Sequence, residues 1–165
     1  MVSMTSSSAK LERALNFHRQ GRLAEAASAY SEVLGSEPDN ADAMHLLGLV
    51  LATMGRGQDA VRLIGAAVSL QPSNAAMHAN LGSALNEIGR HDEALACFDR
   101  AVALKSDLAA AYLGRGGAFL HLGRLEPALA NLEAVGRRER EPDEPVEIEN
   151  QPLGPMPLWG LARPR

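Results

Sequence analysis

Five histidines, one cysteine and a cluster of glycines are the residues of this 165-residue sequence whose types could do chemistry. A metal needs three or four donors converging on one point, and motifs such as His-Glu-x-x-His supply them from one helical face. His18, His45, His78, His91 and His121 stand in no such arrangement. Cys97 has no second cysteine with which to form a redox pair or a zinc site. It lies between Ala96 and Phe98, where a partly buried, inert thiol is expected. Gly114-x-Gly116-Gly117 is followed by no Lys-Ser/Thr, and no Gly-x-Ser-x-Gly or dinucleotide fingerprint occurs. The glycines are therefore expected to serve packing. The expectation is a non-enzyme with no metal and no cofactor.

Bulk composition narrows the partners. Hydrophobic residues make up 46% of the chain, charged ones 22% and aromatic ones only 4%, which describes a globular core packed from small side chains. Sixteen Lys and Arg against twenty Asp and Glu give a net charge of -4. That balance offers no general attraction for phosphate backbones or anionic lipid, so neither nucleic acid nor membrane is an expected partner. The most apolar window, Met44 to Met54, falls far short of the roughly 20 residues that span a bilayer. The start shows no cationic segment followed by an apolar run, so residues 1–6 read as a disordered leader rather than a signal. A cytoplasmic location is the expectation.

The elements that must position these residues follow from a repeat. Gly-Arg recurs at Gly21-Arg22, Gly55-Arg56, Gly89-Arg90 and Gly123-Arg124, each pair 34 residues after the last. In the same register stand the alanines Ala26, Ala60, Ala94 and Ala128, and the bulky residues Tyr30, Ile64, Phe98 and Leu132. Before each glycine, apolar residues are spaced by three and four, as in Met44, Leu47 and Leu51. After it, Leu23, Ala26, Ala27, Tyr30 and Val33 show the same helical period. Each unit is thus two amphipathic helices joined at the glycine. Pro38 and Pro72, with Asp39-Asn40 and Ser73-Asn74, should end one unit and cap the next.

The length of the unit and the pattern bulky-x2-Leu-Gly-x2-bulky, Ala-x3-bulky, Pro resemble the tetratricopeptide repeat family. The second unit carries it as Met44-x2-Leu47-Gly48-x2-Leu51, Ala60-x3-Ile64 and Pro72. The third has His78, Leu81, Gly82, Leu85, Ala94 and Phe98, with Ser106 in place of the proline. The first has Lys10, Arg13 and Ala14 where bulky, Leu and Gly belong, and reads as an N-terminal cap. The resemblance implies an all-α, right-handed α-α superhelix of about four units, at about 7–40, 41–74, 75–108 and 109–136. Gly48, Gly82 and Gly116 would face Ala60, Ala94 and Ala128 where the two helices of a unit cross.

The resemblance also implies a function: a protein or peptide partner held in the concave groove formed by the first helices. Transferred position by position, the groove contains His18 and Arg19 with Leu11 and Leu15, then Asp42, His45, Leu49 and Thr53. It continues with Asn80, Ser83, Asn86 and Glu87 beside Ala79, and ends with Leu113 and His121 beside Gly117. His45, Asn86 and His121 are expected to project away from helix contacts and to serve affinity rather than stability. Co-chaperone members clamp a carboxylate with lysines, arginine and asparagines; Leu11, Leu15, Leu46, Ala76 and Asn80 stand there, so no cation is present for it. The third unit also resembles the arrays of O-linked N-acetylglucosaminyltransferase-like glycosyltransferases, the alternative being a recognition region of such an enzyme. Of their asparagine ladder only Asn80 is kept, against Glu12, Leu46 and Gly114.

From Arg137 the composition changes. Residues 137–165 contain Pro142, Pro145, Pro152, Pro155, Pro157 and Pro164 and read as a Pro-rich tail without regular structure. Solenoids need a covered terminal face. The one apolar cluster left to cover it is Leu153, Met156, Leu158, Trp159 and Leu161, acting within the chain or across a second copy. A monomer or a weak homodimer through the C-terminal end is expected.

Overall fold

The computed structural model describes residues 6–140, and side chains within 8–137. It contains eight α-helices in chain order: α1 Ser6–Arg19, α2 Leu23–Ser36, α3 Ala41–Thr53, α4 Gly57–Leu70, α5 Ala75–Glu87, α6 His91–Leu104, α7 Ala109–His121 and α8 Leu125–Arg140. No strand occurs among the described residues. The helices pair as four antiparallel units and stack into the right-handed solenoid that the repeat implied.

The chain turns back within each unit at Gly21, Gly55, Gly89 and Gly123, where φ lies between 70 and 79°. Only glycine adopts that left-handed region without cost. The amide of the arginine that follows then donates to a carbonyl five residues back, Arg56 to Leu51 at 2.8 Å and Arg90 to Leu85 at 2.9 Å. This closes the C-terminus of the first helix. Each arginine but the last next pairs with the acid three residues on: Arg22 with Glu25, Arg56 with Asp59, Arg90 with Glu93. Between units, the Asn40 side chain accepts from the Ala43 amide at 2.9 Å and Asn74 from that of Met77 at 3.2 Å, starting α3 and α5 as expected. Leu108 stands at that position before α7 and makes no side-chain cap.

The core runs along the stack. Ala26, Ala60, Ala94 and Ala128 are wholly buried, as are Tyr30, Ile64 and Phe98. One detail departs from the sequence reading. A β-carbon on Gly48 would meet Ile64 Cγ1 at 2.5 Å, and one on Gly82 would meet Phe98 Cε1 at 2.8 Å. The bulky residue of the second helix, rather than the alanine, therefore fills most of the space over these glycines. At Gly116 the nearest atom is the Ala128 carbonyl oxygen at 3.5 Å, the neighbour that was expected.

Both ends of the array differ from the sequence boundaries. Helix α1 already includes Ser6, and α8 continues four residues past Gly136 to Arg140. The run Arg137 to Arg140 is made of good helix formers, so its chain extends a helix that the repeat pattern had stopped marking. The remainder of the expected leader and tail, 1–5 and 141–165, lies outside the described residues.

Candidate functional site

Helix contacts decide which face is inner. First helices approach one another across unit boundaries, α3 with α5 and α5 with α7, while each second helix packs on the first helix of its own unit and of the next. The first helices, which carry the twelve predicted groove residues, therefore line one continuous side.

Those residues divide into two groups. Arg19, Asp42, Thr53, Ser83, Glu87, Leu113 and His121 are exposed. Two of these bond only within their own helix: the Thr53 hydroxyl donates to the Leu49 carbonyl at 3.0 Å, and that of Ser83 to the Ala79 carbonyl at 3.2 Å. His18, His45, Leu49, Asn80 and Asn86 are half-buried. Leu49 packs against the core of the first two units.

The polar members of the second group are not free. His45 Nε2 and Asn80 Nδ2 stand 2.8 Å apart, joining α3 to α5. With Nδ2 donating, the imidazole is neutral and carries its proton on Nδ1. Burial pushes the His45 pKa down, against the opposing field of Asp42. Asn86 Nδ2 donates to the Gly114 carbonyl at 3.3 Å, joining α5 to α7, and Asn86 Oδ1 lies 2.8 Å from His91 Nδ1. His91 in turn stacks on His121, with ring centroids 4.6 Å apart and planes 6° from parallel. His18 Nδ1 lies 3.4 Å from the Tyr30 hydroxyl, whose pKa burial raises. The expectation that His45, Asn86 and His121 project away from helix contacts is therefore corrected. All three tie one element to another: His45 and Asn86 bond between neighbouring first helices, and His121 stacks on His91 at the start of α6.

Two residues of this face escaped the sequence reading. His91 opens α6, a second helix, and so lies outside the first-helix register of the groove; its place just beyond a tight turn from Asn86 is the signal in the sequence. Leu120 sits 34 residues after Asn86 and is 50% exposed, close to the 49% of Leu113. Gly117, between these leucines, leaves a gap: a β-carbon there would meet only Asn86 Nδ2, at 3.9 Å. The floor at α5 and α7 thus combines amide and imidazole edges with two exposed leucines; of Asp, Glu, Lys and Arg these helices carry only the exposed Glu87 and Arg115, which is bonded to Asn131 and Asp99.

Elsewhere, the Cys97 thiol is half-buried with its pKa raised, first by burial and then by Glu93, which suits an unreactive side chain. Among the described residues no group of three His, Cys, Asp or Glu could hold a metal ion, and no helix is long and apolar enough to cross a membrane. A hollow of about 280 Å³ lies between α7 and α8, where Arg115 bonds Asn131 and Asp99 at 2.7 Å each.

Residues 11–61, 45–109 and 89–143 match the family model for the tetratricopeptide repeat. Curated proteins yield no match to the sequence. Several solved structures share the fold. MamA AMB-1 superposes with a TM-score of 0.75 at 23% identity, over 82% of this chain and 80% of its own. A MamA from Desulfovibrio magneticus RS-1, comprising residue 41 to its end, reaches a TM-score of 0.79 at 19% identity, over 84% and 78%. YrrB, described as a TPR protein with an unusual peptide-binding site, gives 0.73 at 22%, over 84% of this chain and 70% of its own.

Proposed function

We propose that this chain, which belongs to the tetratricopeptide repeat family, works without catalysis by holding an extended segment of a partner protein along its inner face. The observation that carries the reading is the floor formed by α5 and α7. There Leu113 and Leu120 stand exposed on either side of the gap at Gly117, beside the fixed polar edge of Asn86, His91 and His121. An apolar side chain of the partner fits the gap, and its backbone amides meet acceptors and donors already oriented by their own bonds. The preferred partner segment is uncharged at this point, flanked by basic residues that Glu87 and Asp42 attract.

The glycosyltransferase-linked reading gains nothing from this geometry. Its ladder has one asparagine here, and Asn80 is engaged with His45. The likeness to YrrB supports the peptide mode, since that protein is described by its peptide-binding site.

An array of immobilised peptides probed with the full chain tests the proposal. Peptides retained by the wild type should lose about tenfold or more in affinity in Leu113→Asp, a central contact loss of about 1.4 kcal/mol or more. Retention that is unchanged by Leu113→Asp and by Leu120→Asp would place binding elsewhere and overturn the reading.

A further inference from the structure

The last helix is built as though something lay across it. In the first three units the bulky residue of the second helix, Tyr30, Ile64 or Phe98, is 0% exposed, and that helix packs on the next unit's first helix. Leu132 holds the same register position in α8 and is 41% exposed. Leu95, one unit before Leu129, is 9% exposed, whereas Leu129 itself is 58% exposed. Leu125 adds a third, at 63%. Spacings of four and three residues put Leu125, Leu129 and Leu132 on one stripe of α8. A terminal repeat with such a stripe needs a cover to stay in solution.

We propose that the cover is the chain's own segment 153–161, Leu-Gly-Pro-Met-Pro-Leu-Trp-Gly-Leu, docked along the outer face of α8. It lies within the longest uncharged run after α8, Asn150 to Ala162, and holds Leu153, Met156, Leu158, Trp159 and Leu161. Residues 141–152 tether it to the end of the helix. Those 12 residues reach up to about 40 Å when extended, whereas the 16-residue helix is about 24 Å long. The segment can therefore return along the whole stripe. Pro155 and Pro157 lack the amide hydrogens that a helix interior needs, which favours an extended path, in which nine residues reach about 30 Å. A short tether gives an effective concentration on the order of millimolar, which outcompetes a second copy at micromolar concentration.

Trp159 is the only tryptophan and reports the contact directly in the full chain. Its emission should lie well to the blue of its value in denaturant, independent of protein concentration, and Leu129→Ser with Leu132→Ser should abolish the shift while helicity is retained. Emission equal to that in denaturant, a blue shift that survives the double substitution, or one that vanishes on dilution would each overturn the proposal. The last result would assign the face to a second copy. Hydrogen exchange gives a second reading with the repeats untouched: Leu158→Ser with Trp159→Ser should lower amide protection in α8 and leave α3 to α6 unchanged. Equal protection in α8 would also overturn it.

Discussion

The ring of Phe98 on α6 lies against the backbone of Gly114 on α7 so closely that its Cζ and Cε1 atoms occupy the place of a β-carbon there. The same ring covers Gly82 within its own unit, so one side chain locks three helices through two glycines. Alanine at Gly114 must push the ring aside. Such overpacking costs about 1–3 kcal/mol, against a gain of up to about 1 from helix propensity. Gly114→Ala should therefore destabilise the fold by a net of about 1 kcal/mol, read as a lower urea midpoint. A β-carbon on Gly65 would meet nothing within 4 Å and one on Gly117 only a distant amide, so alanine at either should stabilise by about 0.5–1 kcal/mol. An equal response of all three glycines would mean that Phe98 does not hold this position.

Asn86 should behave as a structural residue as well as a binding one. Its amide bonds the Gly114 carbonyl and the His91 ring, so Asn86→Ala removes two part-buried hydrogen bonds worth together about 1–2 kcal/mol. The exposed neighbour Glu87 should cost no more than about 0.5 kcal/mol on the same change. Paired denaturation curves check the contrast, and near-equal midpoints would show that the bridge carries no weight.

The fold was legible because its signals are local and repeated: a positive-φ glycine, an alanine five residues on, and an asparagine cap are each fixed by one unit. The bonds of the inner face were not. His45 to Asn80 and Asn86 to Gly114 join residues 35 and 28 positions apart, and neither shows a hydrophobic or turn pattern. Which residues face inward could be transferred by register, but whether they point to solvent or to each other depends on rotamers across the unit boundary. Arg115 was missed for another reason. It takes the place of Leu47 and Leu81, where the pattern asks for an apolar side chain, and its partners Asp99 and Asn131 lie on two different helices.

That substitution makes a further prediction. Asn131 is buried at 6% exposure and its Oδ1 accepts from Arg115 Nε, while its Nδ2 donates to the Pro127 carbonyl. Removing Arg115 leaves a buried acceptor unpaired, which costs about 1–3 kcal/mol. Asp99→Ala breaks an ion pair whose acid is 63% exposed and should cost under about 1 kcal/mol. Arg115→Ala should accordingly be the more damaging change. A double-mutant cycle of Arg115 with Asn131 should show coupling, and strict additivity would disprove it.

The last prediction concerns pH and rests on His45. Burial holds its folded pKa below the ordinary imidazole value of about 6.5, with Asp42 pulling the other way. The unfolded chain therefore binds more protons than the folded one between those two values, and stability rises with pH across that window. Above the unfolded value the contribution is complete and flat; as pH falls from about 6.5 toward the folded pKa it is progressively lost. The hydrogen bond to the ring agrees with this direction. Asn80 Nδ2 donates to Nε2, a bond that the protonated ring loses, since its Nε2–H can then only donate to an Asn80 amide turned oxygen-inward. Glu25 and Glu93 have pKa values lowered by their hydrogen bonds to Arg22 and Arg90, so their contribution is lost only as pH falls below the usual carboxylate range, beneath the histidine window. Urea midpoints measured from pH 7.5 down to 5 should thus decline in the wild type, with a limiting slope of less than about 1.4 kcal/mol per pH unit from this one group. In His45→Gln that part of the decline should be absent, leaving a shallower profile. Parallel profiles for the two proteins across this range would show that the α3 to α5 bridge does not depend on a neutral His45.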